Sequence, residues 1–380
     1  MEKVIKTKKG IFIQLHENFG AIVFSPFSGL FFAINKNYVK CTIDYCNNIK
    51  TSIPDEIENH LNIGCINETA QKFNISHYLP SNEVFLESNA IPHVPIVINW
   101  LISNKCNCNC SYCYAGDVID KSFEAHNIND TASNILNLNP LAVVISGGEP
   151  LMEKEKLIEA LQILGDKVGI IIDTNGLIWD NDLIKLFVKY KVVVRVSLDS
   201  LQGETNSRIR PTRDKKLNKI SLSIIINNII NYRKLNIPVL IHSVITNTNK
   251  SSLDDLFYKL PSLGVNGWRI LYVIKPNDSE KQDSFNEVMN FGNKDSLKKQ
   301  QQDIKIKINK YLGKLISKSN FSIQIIPSGE TEKNSVILVL PDGQFATELI
   351  HINRKTIIET DSLFKEVDLG RHYERYLGKI

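Results

Sequence analysis

Ile96-Val-Ile-Asn-Trp-Leu-Ile102-Ser-Asn-Lys-Cys106-Asn-Cys108-Asn-Cys110-Ser-Tyr112-Cys113-Tyr114 joins an apolar run to a loop that holds four cysteines within eight residues. A short apolar run of this kind reads as a buried β-strand, so the loop stands at a strand's C-terminal end. Cys106, Cys110 and Cys113 form C-x3-C-x2-C, three thiols able to converge on one small object. A cubic [4Fe-4S] cluster has four irons, each wanting a terminal ligand that is usually a Cys thiolate. Three cysteines from one loop would leave one iron open to bind something else. Cys108 reads as a bystander, because Cys108-x-Cys110-x2-Cys113 is cramped for three different irons. The competing reading is a structural zinc site, which wants paired C-x2-C segments or His partners. No second pair occurs.

Outward from this loop the chain alternates. Strand-like apolar runs at 96–102, 142–146, 168–173, 192–198, 239–245 and 268–274 are separated by amphipathic helical stretches at 130–139, 154–164, 182–190, 218–235 and 253–263. Apolar strands separated by helices imply βα units and a parallel sheet. Six units rather than eight predict an α/β fold built on a partial (β/α)6 TIM-like barrel, spanning 94–275. In such sheets the strand C-terminal ends carry the chemistry.

Residues 1–80 read as a small α+β module: strands at 10–15, 21–24 and 30–34, a Ser25-Pro-Phe-Ser-Gly29 turn, and helices at 36–48 and 55–62. Residues 276–380 read as an α+β C-terminal extension. It has a polar start (277–282), a Lys/Gln-rich helix at 296–317, strands at 323–326 and 336–340, a Pro341-Asp-Gly343 turn, a strand near Phe345 and a basic-aromatic tail.

Composition limits the function. The 380 residues are 43% hydrophobic and 23% charged, which is enough apolar content for a large core. The net charge of +4 points to neither nucleic acid nor a membrane surface as partner. The sequence has no 18-residue apolar span and no signal-peptide h-region, which predicts a cytoplasmic protein. Seven cysteines, four of them clustered, do not form a disulfide framework. Cys41, Cys46 and Cys65 read as reduced bystanders, and no cysteine follows Cys113.

Further motifs stand at later strand ends. The second strand runs into Ser146-Gly147-Gly148-Glu149-Pro150, where two glycines allow close backbone approach and Glu149 offers a carboxylate to a cationic group. Thr174-Asn175-Gly176 follows the third strand and Ser197-Leu-Asp199 the fourth. Taken singly, Thr174-Asn-Gly is an ordinary turn, Asp199 a possible helix N-cap and Arg210 a surface side chain.

Together, and in this order, these motifs resemble the radical S-adenosylmethionine (radical SAM) enzymes over residues 94–275. The resemblance implies that the open iron of one [4Fe-4S] cluster, held by Cys106, Cys110 and Cys113, chelates the amino and carboxylate groups of SAM. It assigns the SAM amino group to Gly147, Gly148 and Glu149, and adds Tyr112 and Asn175 to the cofactor-binding set. It places Ser197 near the ribose or carboxylate with Asp199 close by. Arg210 matches an Arg that pairs with the SAM carboxylate, with Arg208 its nearest competitor. Reductive cleavage of SAM to a 5'-deoxyadenosyl radical is the implied activity, with a flavodoxin or ferredoxin-like protein as electron donor.

The flanks narrow the class. Residues 336–345 resemble the strand-turn-strand of the SPASM extension found on peptide-modifying members. Ala346 and Thr347 stand where that pattern continues into a cluster-ligating Cys, which predicts a single cluster. Residues 24–33 resemble a winged-helix-like element that binds a leader peptide by strand addition; the alternative is a structural cap on the barrel. The expectation is a maturase that abstracts hydrogen from a residue of a ribosomally made precursor peptide, giving a crosslink, a thioether or an epimerised centre. The alternatives are a radical SAM enzyme acting on a small-molecule or cofactor precursor, and a non-catalytic iron-sulfur or zinc module. Target residue, bond formed, fate of SAM and oligomeric state are not encoded in any of these motifs.

Overall fold

The computed structural model describes residues 3–61, 93–116, 118–124, 126–272, 302–303, 306, 322–326, 335–347, 357–358 and 367–377. Its first unit is an antiparallel sheet of β1 (Lys3–Lys6), β2 (Phe12–His16), β3 (Gly20–Ser25) and β4 (Leu30–Asn35), paired in that order. Two helices follow, α1 (Lys36–Cys46) and α2 (Asp55–Leu61). Strand alternation gives this sheet two apolar faces. Ile11, Ile13, Ala21, Val23 and Ile34 pack under the helices, whereas Phe12, Ile22, Phe24 and Ala33 face the larger sheet. The hairpin around the 25–29 turn matches the sequence reading. β1 was not anticipated, because Lys3-Val-Ile-Lys6 is too short and too charged to show an apolar run.

The second sheet holds the six expected parallel strands: β5 (Val97–Ser103), β6 (Ala142–Gly147), β7 (Gly169–Thr174), β8 (Val193–Ser197), β9 (Val239–Ile245) and β10 (Gly267–Tyr272). They pair in sequence order and continue into β11 (Ser322–Ile326) beside β10 and β12 (Leu338–Val339) beside β5, both parallel. Antiparallel β13 (Phe345–Ala346) and β14 (Ile357–Ile358) complete a ten-stranded open sheet. The connecting helices are α3 (Ile128–Asn137), α4 (Lys154–Leu164), α5 (Asn181–Tyr190), α6 (Gly203–Ile209), α7 (Ser221–Lys234) and α8 (Leu253–Lys259); α9 (Leu369–Leu377) closes the described chain.

Several helix ends differ from the sequence reading for local reasons. Asn127 caps α3 through the N–H groups of Asn129 and Asp130, so the helix begins at Ile128 rather than Asp130. Residues 217–219 form a 3-10 turn before α7, and Pro261, which has no N–H to donate, opens another after α8. α6 was missed because Gly-Glu-Thr-Asn-Ser-Arg-Ile carries no apolar stripe. The helix expected at 296–317 lies outside the described residues apart from 302, 303 and 306, and so does Cys65.

The strands are apolar on both faces because both are covered. Val143, Ile145, Ile170, Ile172, Val194, Val196, Trp268 and Ile270 pack under the helices. On the other face Val97, Val144, Ile171, Val193 and Leu240 pack on the N-terminal sheet. Gly169 makes this approach possible: a Cβ there would lie 2.3 Å from Phe24 Cδ1. The C-terminal helix seals the same end. Buried His372 accepts the N–H groups of Ile96 and Val97 on Nε2 (3.0 and 3.2 Å), and its Nδ1 donates to Ser335 O at 2.8 Å. With the strands' starts closed in this way, the inner face toward their C-terminal ends is left for polar groups.

Candidate active site

The cysteine loop leaves β5 and is stapled to two other loops by backbone hydrogen bonds. On one side Gly148 N donates to Ser103 O and Glu149 N to Lys105 O, both at 2.7 Å. The fit requires glycine. Gly147 has φ +128°, and a Cβ on Gly148 would lie 2.0 Å from Lys105 O. On the other side the loop pairs antiparallel with the segment after α6: Asn109 N donates to Pro211 O (2.8 Å), Arg213 N to Asn107 O (2.9 Å) and Ser111 N to Ile209 O (3.3 Å), with Cys108 opposite Thr212. Three motifs distant in sequence thus share one backbone framework.

Within the loop Cys108 N donates to Cys106 Sγ at 3.4 Å. The Cys106 thiol is held below its usual range, first by hydrogen bonding with Cys108. The Cys108 thiol is pushed up in turn by sharing with Cys106 and then Cys110, and by burial. Cys108, read from spacing as a bystander, is therefore buried among the thiols rather than set apart from them. Among the described residues no three His, Cys, Asp or Glu side chains close on a point as a single metal ion requires. A cubic cluster asks for something else, one thiolate for each of several irons.

Glu149 is fully buried. Its Oε1 accepts from Thr174 Oγ1 (2.8 Å) and Leu151 N (3.2 Å), and its Oε2 from Asn175 N (2.7 Å). Burial nevertheless outweighs these bonds and lifts its pKa to about 7. A buried carboxylate so placed is stabilised by a cationic partner. Asn175 joins the Glu149 turn to the cysteine loop: its N–H is held by Glu149 and its Nδ2 donates to Asn107 Oδ1 at 2.5 Å. The Thr174-Asn-Gly segment is indeed a turn, with Gly176 at φ +77°, and it also ties two of the expected site loops together.

On the opposite side Tyr112 Oη donates to Asp199 Oδ2, and Arg210 Nη1 donates to Tyr112 Oη at 2.5 Å. Arg210 Nη1 also lies 3.7 Å from Asp199 Oδ2. Asp199 is fully buried and Arg210 retains 11% side-chain exposure. Asp199 Oδ1 accepts Val244 N at 2.7 Å, while Asn206 and Asn249 hold its backbone. Asp199 is thus no helix N-cap, since Gln202 occupies that position for α6. Arg210 lies inside and is already engaged by Asp199 and Tyr112. Arg208 is exposed. Half-buried Ser197 pairs in register with His242.

The sequence reading missed a polar group on the inner face. Arg195 makes a two-pronged ion pair with Asp173 on the neighbouring strand, one arm at 2.7 Å. His242 lies in register with Arg269, whose Nη1 donates to its Nε2 at 3.2 Å. Burial, then Arg195, Arg269 and Arg210, pushes His242 well below its usual pKa, so the imidazole is neutral with its proton on Nδ1. Tyr114 shares a 3.0 Å hydrogen bond with Ser146 on β6. A signal existed: each of these side chains breaks an apolar strand at the alternation of one face.

Comparison with known proteins accords with this geometry. Residues 100–258 match the model of the radical SAM superfamily. An uncharacterised protein of Methanocaldococcus jannaschii is 26% identical over 43% of this chain and 58% of its own length, so the match spans little more than half of that relative. An S-adenosylmethionine-dependent nucleotide dehydratase of Psychrobacter lutiphocae is 27% identical over 49% of this chain and 67% of its own. In overall fold the chain is similar to Streptococcus suis SuiB, solved bound to its precursor peptide SuiA. That likeness has a TM-score of 0.58 at 14% identity and covers 96% of this chain and 88% of SuiB. The match places a radical SAM domain at residues 100–258, and that domain implies a [4Fe-4S] cluster and SAM as cofactors.

Proposed function

We propose that this radical SAM protein is an enzyme that abstracts hydrogen from a residue of a ribosomally made precursor peptide. Cys106, Cys110 and Cys113 would hold the cluster, which with SAM would supply a 5'-deoxyadenosyl radical. The chain's own part is positional. Glu149, fixed by Thr174 and Asn175, receives the SAM amino group beside Gly147 and Gly148. Tyr112, Asp199 and Arg210 brace the cysteine loop from the other side, and Ser197 lines the inner face near them.

The observation that carries the peptide reading is a groove of about 460 Å³ on the N-terminal module. Leu15, Val39 and Ile43 line it, and Glu17, Lys36 and Lys40 add charge. An apolar groove with charges of both signs suits a peptide segment. The test is binding of a short peptide encoded beside this protein, followed by the mass of the product. Binding that Val39→Asp weakens, together with loss of two hydrogens or an unchanged mass, supports a crosslink or an epimerised centre respectively. No binding to that peptide sinks the reading.

One observation favours a second reading, a small-molecule substrate. The inner face presents Arg195, Arg269 and neutral His242 beside the carboxylate of Asp173, a balance that suits an anionic compound such as a nucleotide. Turnover of a nucleoside triphosphate with no effect of Val39→Asp would establish it.

A further inference from the structure

We propose that the basic turn at residues 213–220 is the docking surface for an acidic, low-potential electron carrier of the flavodoxin type; this rests on the radical SAM reading above. Reductive cleavage of SAM takes up one electron per event. A flavodoxin hydroquinone can give it, becoming the semiquinone as the cluster gains the electron.

Three observations select this turn. The first is its attachment: Thr212 stands opposite Cys108, and Arg213 N donates to Asn107 O, so the turn grows directly from the segment paired with the cysteine loop. The second is its rigidity. Thr212 N donates to Asn218 Oδ1 and Thr212 Oγ1 to Asp214 O, both at 2.7 Å, and Arg213 bridges to Asp120 at 2.6 Å. The third is charge. Arg213, Lys215, Lys216 and Lys219 are exposed with Asp214 as the only acid among them, whereas the whole 380-residue chain carries only +4. Exposed Lys121 extends the patch on the neighbouring loop, where Lys105, with 62% side-chain exposure, is paired with Glu153 at 2.9 Å. Ile220, 50% exposed at the end of the turn, adds an apolar contact inside a charged rim. Such a patch steers an acidic partner and orients it over the cluster loop.

The test compares wild type with the triple variant Lys215→Glu, Lys216→Glu, Lys219→Glu, none of which touches the cysteine loop's side chains. Binding of purified flavodoxin is measured by surface plasmon resonance at low and high salt. Formation of 5'-deoxyadenosine is then measured with flavodoxin hydroquinone and, separately, with dithionite. The expected result is salt-sensitive binding that the variant weakens by about tenfold or more, a matching fall in the flavodoxin-driven rate, and an unchanged dithionite-driven rate. Equal flavodoxin binding by both proteins overturns the proposal, as does a parallel fall in both rates. So does binding of a DNA duplex that the variant alone loses while flavodoxin binding persists. If wild type with dithionite releases no 5'-deoxyadenosine, the radical SAM reading fails, and the flavodoxin binding comparison still reads the surface on its own.

Discussion

Tyr112 donates its hydroxyl proton to Asp199, which joins the cysteine loop to the end of β8 across 87 residues of sequence. Asp199 is fully buried and Tyr112 half-buried, and Arg210 supplies the neutralising charge. These three groups are therefore unequal in what their loss leaves behind. Tyr112→Phe removes one hydrogen bond to a charged acceptor, at a cost of about 1–3 kcal/mol. Arg210→Met leaves Asp199 as an uncompensated buried carboxylate and should cost about 3–5 kcal/mol. Urea denaturation of the two variants checks the order, and an Arg210→Met protein no less stable than Tyr112→Phe would refute the assignment.

The cysteines should separate by role. Alanine at Cys106, Cys110 or Cys113 is expected to abolish the cluster's characteristic absorbance after anaerobic reconstitution. Cys108 meets Thr212 through its backbone, so Cys108→Ala keeps that pairing and should retain its iron. Iron and sulfide analysis of all four variants decides. A Cys110→Ala protein that keeps full iron would break the site assignment, and loss of iron in Cys108→Ala would make that buried thiol a ligand.

Glu149 gives a pH signature. Its pKa in the folded chain, raised by burial to about 7, lies above its unfolded value near 4.5. A raised folded pKa means stability that is fully present below the unfolded value and is lost as pH rises through about 7. Every tenfold change in an acidity constant between the two states is worth about 1.4 kcal/mol. Glu149→Gln carries a constant penalty, because its amide would face donors such as Asn175 N, but it has no slope of its own. The stability of wild type relative to this variant, measured on the chain without cluster, should therefore decline across that pH window. A flat difference would show that Glu149 ionises normally.

Much of this was legible in the sequence, and the gaps have physical causes. The six parallel strands declared themselves because both of their faces are buried, which writes continuous apolar runs. The cysteine loop, Gly147-Gly148-Glu149 and Ser197-Leu-Asp199 were found because each follows such a run. The partners of those residues were not legible. Nothing local in Asn107 or Thr174 says that one meets Asn175 and the other Glu149, since these contacts depend on the staples between loops. Arg210 was expected to face a ligand's carboxylate; its engagement with Tyr112 and Asp199 depends on how the segment after α6 lies along the cysteine loop. Asp173 and Arg195 were passed over because the alternation was scored for apolar residues, although opposite charges in register on adjacent strands mark a cross-strand pair.

The tightest constraint on the site is steric, and it can be tested without any cofactor. At Gly148 a methyl group would meet the backbone carbonyl of Lys105 at 2.0 Å, closer than real Cβ atoms come, and that contact is with backbone rather than with a side chain that could yield. Gly148→Ala must therefore part the Gly148–Ser103 and Glu149–Lys105 hydrogen bonds, which releases the cysteine loop from β6. Gly203, in the first turn of α6, offers a matched control, since a Cβ there meets nothing nearer than 3.9 Å. Alanine at 203 should be neutral or stabilise by up to about 1 kcal/mol through helix propensity. Alanine at 148 should lower stability far more, by about 3 kcal/mol, and speed amide exchange at Gly148 and Glu149. Equal melting temperatures for the two variants would mean that the loop and the Gly147-Gly148-Glu149 turn are not held together by this contact, and the shared framework of the site would have to be redrawn.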